Sequence, residues 1–158
     1  MNQDTLTKLL TDVAQGGRTV EEAAALLKHL SMEDISYANI DHHRGLRKGF
    51  PEVIFGQGKT GAQIIGIMER MAVQEHVILA TRVEADKAAL ILNAFPDAEY
   101  HDDARMVIWK TKEPAITGNG LVLVLSAGTS DIPVANEAAL TAKMMGNRVE
   151  TVFDVGVA

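Results

Sequence analysis

The hydrophobic pattern of the chain changes period twice. Leu6, Leu9, Leu10 and Val13 recur at helical spacing, which predicts a first short helix ended by Gly16-Gly17. Thr19-Val20-Glu21-Glu22 matches a capping box, in which the threonine hydroxyl and Glu22 carboxylate satisfy free end amides reciprocally. It opens a second helix with Ala23, Ala24, Leu26, Leu27 and Leu30 on its buried side. From residue 35 the pattern switches to short runs. Ile35–Asp41 reads as a strand, Asp41–Pro51 as a Gly/Pro-punctuated basic loop, and Glu52–Phe55 as a strand. A Gly56–Lys59 turn leads into a helix over Thr60–Ala72, with Ile64, Ile65, Ile67, Met68 and Met71 as its apolar side. A strand at His76–Ala80, a helix at Glu84–Ala94, and strands at Glu99–Tyr100 and Met106–Trp109 follow. Leu121–Ser126, an amphipathic segment from Pro133 to Gly146, and Val149–Val157 read as strand, helix, strand, a βαβ unit. The expected class is α/β: a helical hairpin over 1–34, a small α/β domain over 35–110, a linker over 111–120, and the start of a parallel sheet over 121–158.

Composition narrows the partners. The apolar fraction is 47% and the charged fraction 23%, as in an ordinary globular protein. A net charge of −6 disfavours a nucleic-acid or membrane-surface role, both of which need a basic face. The N-terminus lacks the basic start and apolar core of a secretory signal, and no apolar run approaches the ~18 residues of a membrane span. The expected location is the cytoplasm. There is no cysteine, so no disulfide or thiolate chemistry is available within these residues.

Four stretches carry candidate chemistry. Gly58-Lys59-Thr60 invites a P-loop reading, but the required earlier glycine is Val53, so the full phosphate cradle is not built. What is left is either a glycine turn with Thr60 as helix cap, the reading this motif alone favours, or an anion site on Lys59, Thr60 and the helix amides. The Asp41–Lys48 loop packs Asp41, His42, His43, Arg44, Arg47 and Lys48 together. Neighbouring histidines on an extended segment point apart and seldom share one metal ion. Arg44 and Arg47 suit phosphate or carboxylate; a solvated basic loop is the equal alternative. Ser126-Ala127-Gly128-Thr129-Ser130-Asp131 lies where open α/β sheets bind ligands, beyond the carboxyl end of a strand. Pro133 near the first helical turn leaves Ser130 or Asp131 to cap the helix, but capping alone leaves most of the run unexplained. Asp154 and Gly156 end the next strand beside it, as further phosphate or ribose contacts or as a plain strand end.

In this order along the chain, the Asp41–Arg44 loop, Gly49-Phe50-Pro51-Glu52-Val53-Ile54, Gly58-Lys59-Thr60, Ser126–Asp131, Gly146-Asn147-Arg148-Val149-Glu150 and Asp154–Ala158 resemble the LarB family. These are pyridinium-3,5-biscarboxylic acid mononucleotide synthases of nickel-pincer cofactor biosynthesis. The last strands resemble the opening of the PurE, or aminoimidazole ribonucleotide carboxylase, fold. The resemblance implies carboxylation of the pyridinium ring of nicotinic acid adenine dinucleotide and hydrolysis of its phosphoanhydride, with AMP released. The product serves the cofactor of lactate racemase. CO2 or bicarbonate would be the co-substrate, with no organic cofactor and with homo-oligomeric assembly. It further implies a Gly-Ile-His-Arg segment after Ala158 and a later cysteine that adds to the ring. The chain is therefore expected to be a truncated member that binds substrate without turnover. On that basis Arg44, Arg47, Lys59, Thr60, Ser126, Gly128, Thr129, Ser130, Asp131, Asp154 and Gly156 are candidate substrate contacts. Asp41 and His43, or Asp131, are candidates to hold Mg2+ bridging the phosphates. The alternatives are a non-catalytic nucleotide-binding or assembly module, and a purine ribonucleotide carboxylase, which lacks the long N-terminal region.

Overall fold

The structure is a computed structural model and describes residues 3–28, 33–41, 44, 50 and 52–156. The elements run α1 (Gln3–Ala14), α2 (Val20–Lys28), β1 (Glu33–Asp34), β2 (Asn39–Ile40), β3 (Val53–Phe55), α3 (Gly61–Ala72), β4 (Val77–Thr81), α4 (Ala85–Ala94), β5 (Glu99–His101), β6 (Met106–Lys110), β7 (Leu121–Leu125), α5 (Ile132–Met144) and β8 (Arg148–Val152). The class is α/β. The chain groups into two compact units, one of residues 1–52 with 67–75 and one of 53–66 with 76–158.

In the first unit α1 packs on α2. The capping box forms: the Thr19 amide donates to Glu22 Oε2 at 2.9 Å, and the Glu22 amide to Thr19 Oγ1 at 3.1 Å. The buried stripe is narrower than the spacing predicts. Leu9 and Ala23 are buried, whereas Leu10 and Leu26 are about half exposed. Short paired helices fill a narrow seam rather than a wide apolar face. The expected strand over Ile35–Asp41 is instead a hairpin. Glu33–Asp34 pairs antiparallel with Asn39–Ile40, because Ser36 turns the chain at φ +73° and the Ile35 amide reaches the Ala38 carbonyl.

The second unit is built on a mixed four-stranded sheet of order β3-β4-β6-β5. β3 and β4 are parallel, and β6 is antiparallel to both of its neighbours. The β5–β6 connection turns at Arg105, a left-handed residue with φ +50°. A core of Leu79, Ala104, Met106, Ile108 and Met144 is flanked by Val53, Val77 and Leu140. Met144 and Leu140 come from α5, so the helix of the βαβ unit is a wall of this core. β7 and β8 pair in parallel, and α5 packs against both. The strand expected to reach Val157 stops at Val152, and Asp154 then takes a left-handed conformation at φ +56°.

Residues 113–118 form no regular element, yet they are fastened. The Thr117 and Gly118 amides both donate to the Gly146 carbonyl, at 2.9 and 3.0 Å. Gly146 ends α5 at φ +79°, and a Cβ there would lie 2.5 Å from the Ala115 carbonyl oxygen. Glycine is required on both counts.

Candidate functional site

The first candidate loop follows β3. The Gly56 amide donates to the Thr81 carbonyl at 2.7 Å, and a Cβ at Gly56 would lie 2.8 Å from that oxygen and 2.9 Å from Val83 Cγ2. Glycine lets the loop lie directly on the end of β4. Gly58 turns the chain at φ +80°. Thr60 then caps α3: the Gln63 amide donates to its hydroxyl at 3.2 Å and the Gln63 side-chain oxygen accepts the Thr60 amide at 2.9 Å. The cap reading accounts for Thr60, whose hydroxyl is committed to the helix end. Lys59 is half-buried and forms no ion pair among the described residues.

The second loop follows β7. The Ser126 amide continues the ladder to the Val152 carbonyl at 3.1 Å. The Ser126 side chain is buried, and its Oγ has no hydrogen-bond partner. A hydroxyl normally finds a partner when buried, because losing water without replacement costs about 1–3 kcal/mol. Thr129–Asp131 forms a single 3-10 turn that runs into α5. The expected Ser130 or Asp131 cap is not made. Asp131 is already helical, and its carboxylate reaches back to accept the Gly128 amide at 3.2 Å. That is the returning half of a capping box, with glycine in place of the hydroxyl that would complete it. Thr129 and Ser130 are exposed.

The end of β8 joins this loop. The Val155 amide donates to the Ser126 carbonyl at 3.1 Å and the Gly156 amide to the Ala127 carbonyl at 2.9 Å. The structure thus brings Ser126, Gly128, Thr129, Ser130, Asp131, Asp154 and Gly156 into one neighbourhood at the carboxyl edge of the parallel pair. Arg44 and Asp41 belong to the first unit. Arg44 stacks over Phe50, with its guanidinium 5.7 Å from the ring centroid, and its Nε is buried without a partner. The Asp41 amide donates to Glu52 Oε2 at 2.8 Å. Arg47 and His43 lie outside the described residues. Among the described residues no group of three or more His, Asp or Glu side chains is placed to hold a metal ion.

The residues missed by sequence reasoning tie α5 to the ends of the four-stranded sheet. Arg82, directly after β4, pairs with Glu137 of α5, with Nε to Oε2 at 2.5 Å. One residue earlier on the helix, Asn136 donates to Asp103 Oδ2 at 2.6 Å. Arg105 pairs with Glu84 at 3.5 Å, and the Val83 amide donates to the Arg105 carbonyl. Tyr100 donates its hydroxyl to the Val83 carbonyl at 3.0 Å. Burial, then the charges of Asp102 and Glu84, push its pKa up. Arg82 sits at φ +55°, but Thr-Arg-Val carries no local sign of a left-handed residue.

The β7 loop thus joins a glycine, a buried hydroxyl without a partner and a helix start beyond the carboxyl end of a parallel strand. The family model for the LarB/PurE-like N-terminal domain matches residues 32–112, just over half of the chain, and the chain belongs to that family. It is also 33% identical over 159 aligned positions to an uncharacterized protein of Methanocaldococcus jannaschii, covering 97% of this chain and 62% of that protein. The chain thus spans less than two thirds of this relative's length. No described helix is long and apolar enough to cross a membrane.

Proposed function

We propose that these residues supply the phosphate-binding part of a synthase site that takes nicotinic acid adenine dinucleotide, carboxylates its pyridinium ring and hydrolyses its phosphoanhydride. The observation that carries the reading is the buried, unpartnered Ser126 hydroxyl. It lies at the end of β7 beside Gly128 and the start of α5, where an anionic oxygen would supply the missing acceptor. Family membership supports the same reading. Ser126 and the loop amides bind a phosphate group, Thr129, Ser130 and Asp154 serve ribose hydroxyls, and Lys59 holds the second phosphate group. No cluster of ligands among the described residues fits a resident Mg2+; an ion brought with the substrate would neutralise phosphate charge. The 158 residues contain no cysteine, so the nucleophile that adds to the ring comes from outside them, and their own part is substrate binding.

Calorimetric titration with nicotinic acid adenine dinucleotide tests this. The wild-type chain is expected to bind, and Ser126→Ala to weaken binding about 10- to 100-fold, the worth of one hydrogen bond to a charged group. Absence of wild-type binding, or an unchanged Kd in the variant, overturns the reading.

A further inference from the structure

Asn119 and Gly120 link two segments that are held in place. Before them, the Thr117 and Gly118 amides are bonded to the Gly146 carbonyl. After them, Leu121 opens the β7–β8 ladder opposite Arg148. The link itself is held by neither. Both residues are exposed, and neither the Asn119 side chain nor the Gly120 amide forms a hydrogen bond among the described residues. Gly120 has no side chain, and the space a Cβ would fill there is open. Glycine also lets the backbone reach conformations that bring its nitrogen toward the preceding side chain. Two other asparagines of this unit are placed differently. Asn147 donates its side-chain amide to the Ala142 carbonyl at 2.9 Å and is followed by Arg148 in β8. Asn136 donates to Asp103 Oδ2 at 2.6 Å and is followed by Glu137 inside α5.

We propose that Asn119 is a site of spontaneous covalent modification, in which the Gly120 backbone nitrogen closes a ring on the Asn119 side chain. The Gly120 nitrogen, on losing its proton, attacks Asn119 Cγ and forms a C–N bond. The Cγ–Nδ2 bond breaks, and the side-chain nitrogen takes up a proton and leaves as ammonia. A water molecule, the only co-reactant, then opens the cyclic imide. Attack at the side-chain carbonyl gives aspartate. Attack at the main-chain carbonyl gives isoaspartate, with the chain routed through Cβ. Ring closure is intramolecular, so the mutual approach of two neighbouring groups sets its rate. Either product adds one negative charge to the net −6, and isoaspartate also lengthens the main chain by a carbon at the entry to β7.

The test incubates the folded chain in mildly alkaline buffer and follows it by tryptic digestion and mass spectrometry. One tryptic peptide, residues 113–143, carries both Asn119 and Asn136, so fragment ions compare the two directly. The mass gain of an amide converted to an acid should accumulate at Asn119 about tenfold or more faster than at Asn136, whose hydrogen bond must break first. A synthetic peptide of the same residues, which has no fold, should react at Asn119 at about the rate of the folded chain. Gly120→Ala places a methyl beside the attacking nitrogen, in space that is open, and should slow the gain about tenfold, a barrier change of about 1.4 kcal/mol. Its thermal melt checks that the variant folds. A folded chain that reacts at Asn119 far more slowly than the peptide overturns the proposal, because the fold then protects the link. An unchanged rate in Gly120→Ala overturns it as well, as does a gain spread evenly over Asn119 and Asn136.

Discussion

Two sheets of the same unit are written in nearly the same alphabet and are treated oppositely. β4 and β6 read Val-Ile-Leu-Ala-Thr and Met-Val-Ile-Trp-Lys. Ile78, Met106 and Val107 are completely buried there. β7 reads Leu-Val-Leu-Val-Leu, a stronger apolar signal, but Leu121, Leu123 and Leu125 are each more than half exposed. The register explains the difference. Val122, Val124, Val149 and Thr151 share one face of the parallel pair, and Val124 and Val149 are half-buried. The three leucines share the other face with Arg148, Glu150 and Val152. Parallel sheets are ordinarily covered on both faces. Apolar runs therefore identified strands in both places, while burial was decided by the number of layers around each.

The largest expected effect separates the sheets by stability. Ile108→Ala in β6 should cost about 2–5 kcal/mol, a transfer term plus a cavity. Leu123→Ala in β7 should cost much less, about 1 kcal/mol, since half of the residue is already in water. Paired urea titrations check both. Equal losses would show that the leucine face is covered in solution and would erase the contrast. Next comes Gly56→Ala, whose added methyl meets the Thr81 carbonyl and Val83 at under 3 Å. The strain expected is about 1–3 kcal/mol, read as a lowered urea midpoint, with weaker dinucleotide binding because the Lys59 turn shifts.

The smallest effect lies at the rim of the four-stranded sheet. The hydrogen bond between Lys110 and Glu113, at 2.9 Å, followed by the lysine's charge, lowers the Glu113 pKa. The same bond raises that of Lys110, helped by Glu99. A lowered carboxyl contributes stability above its unfolded pKa and loses it as pH falls through the folded value. A raised lysine contributes below its unfolded pKa and loses it as pH rises through the folded value. The Tm gap between wild type and Glu113→Gln should be small and flat around neutrality, closing in acid and again in strong alkali. Thermal melts across pH measure it.

Much of this was legible locally. Both helix caps, Thr19 with Glu22 and Thr60 with Gln63, are fixed by side chains three residues apart, so spacing alone exposes them. The Ser126–Asp131 run was legible as a loop beyond a strand because the apolar run stops at Leu125. What escaped depends on residues distant in sequence. Ile35–Asp41 alternates like a strand, but the pairing of Glu33–Asp34 with Asn39–Ile40 folds it at Ser36. Asp131 has a capping residue's chemistry, yet the preceding 3-10 turn moves the cap position to Gly128. Arg82 and Glu137 are 55 positions apart, and neither has a neighbour in sequence that signals the other. The missing information is tertiary, as expected where packing overrides local preference.

Gly146 has one more consequence. By composition, the stretch from Lys112 to Gly120 is the natural place for a protease to nick the chain, since loops of small and polar residues offer the extended, mobile backbone that cleavage needs. Two amides held by the Gly146 carbonyl take that freedom away from its centre. Susceptibility to digestion is thus governed at a distance, by whether the turn after α5 leaves room for its neighbour. A residue almost thirty positions downstream decides whether this segment behaves as a flexible tether or as part of the folded body.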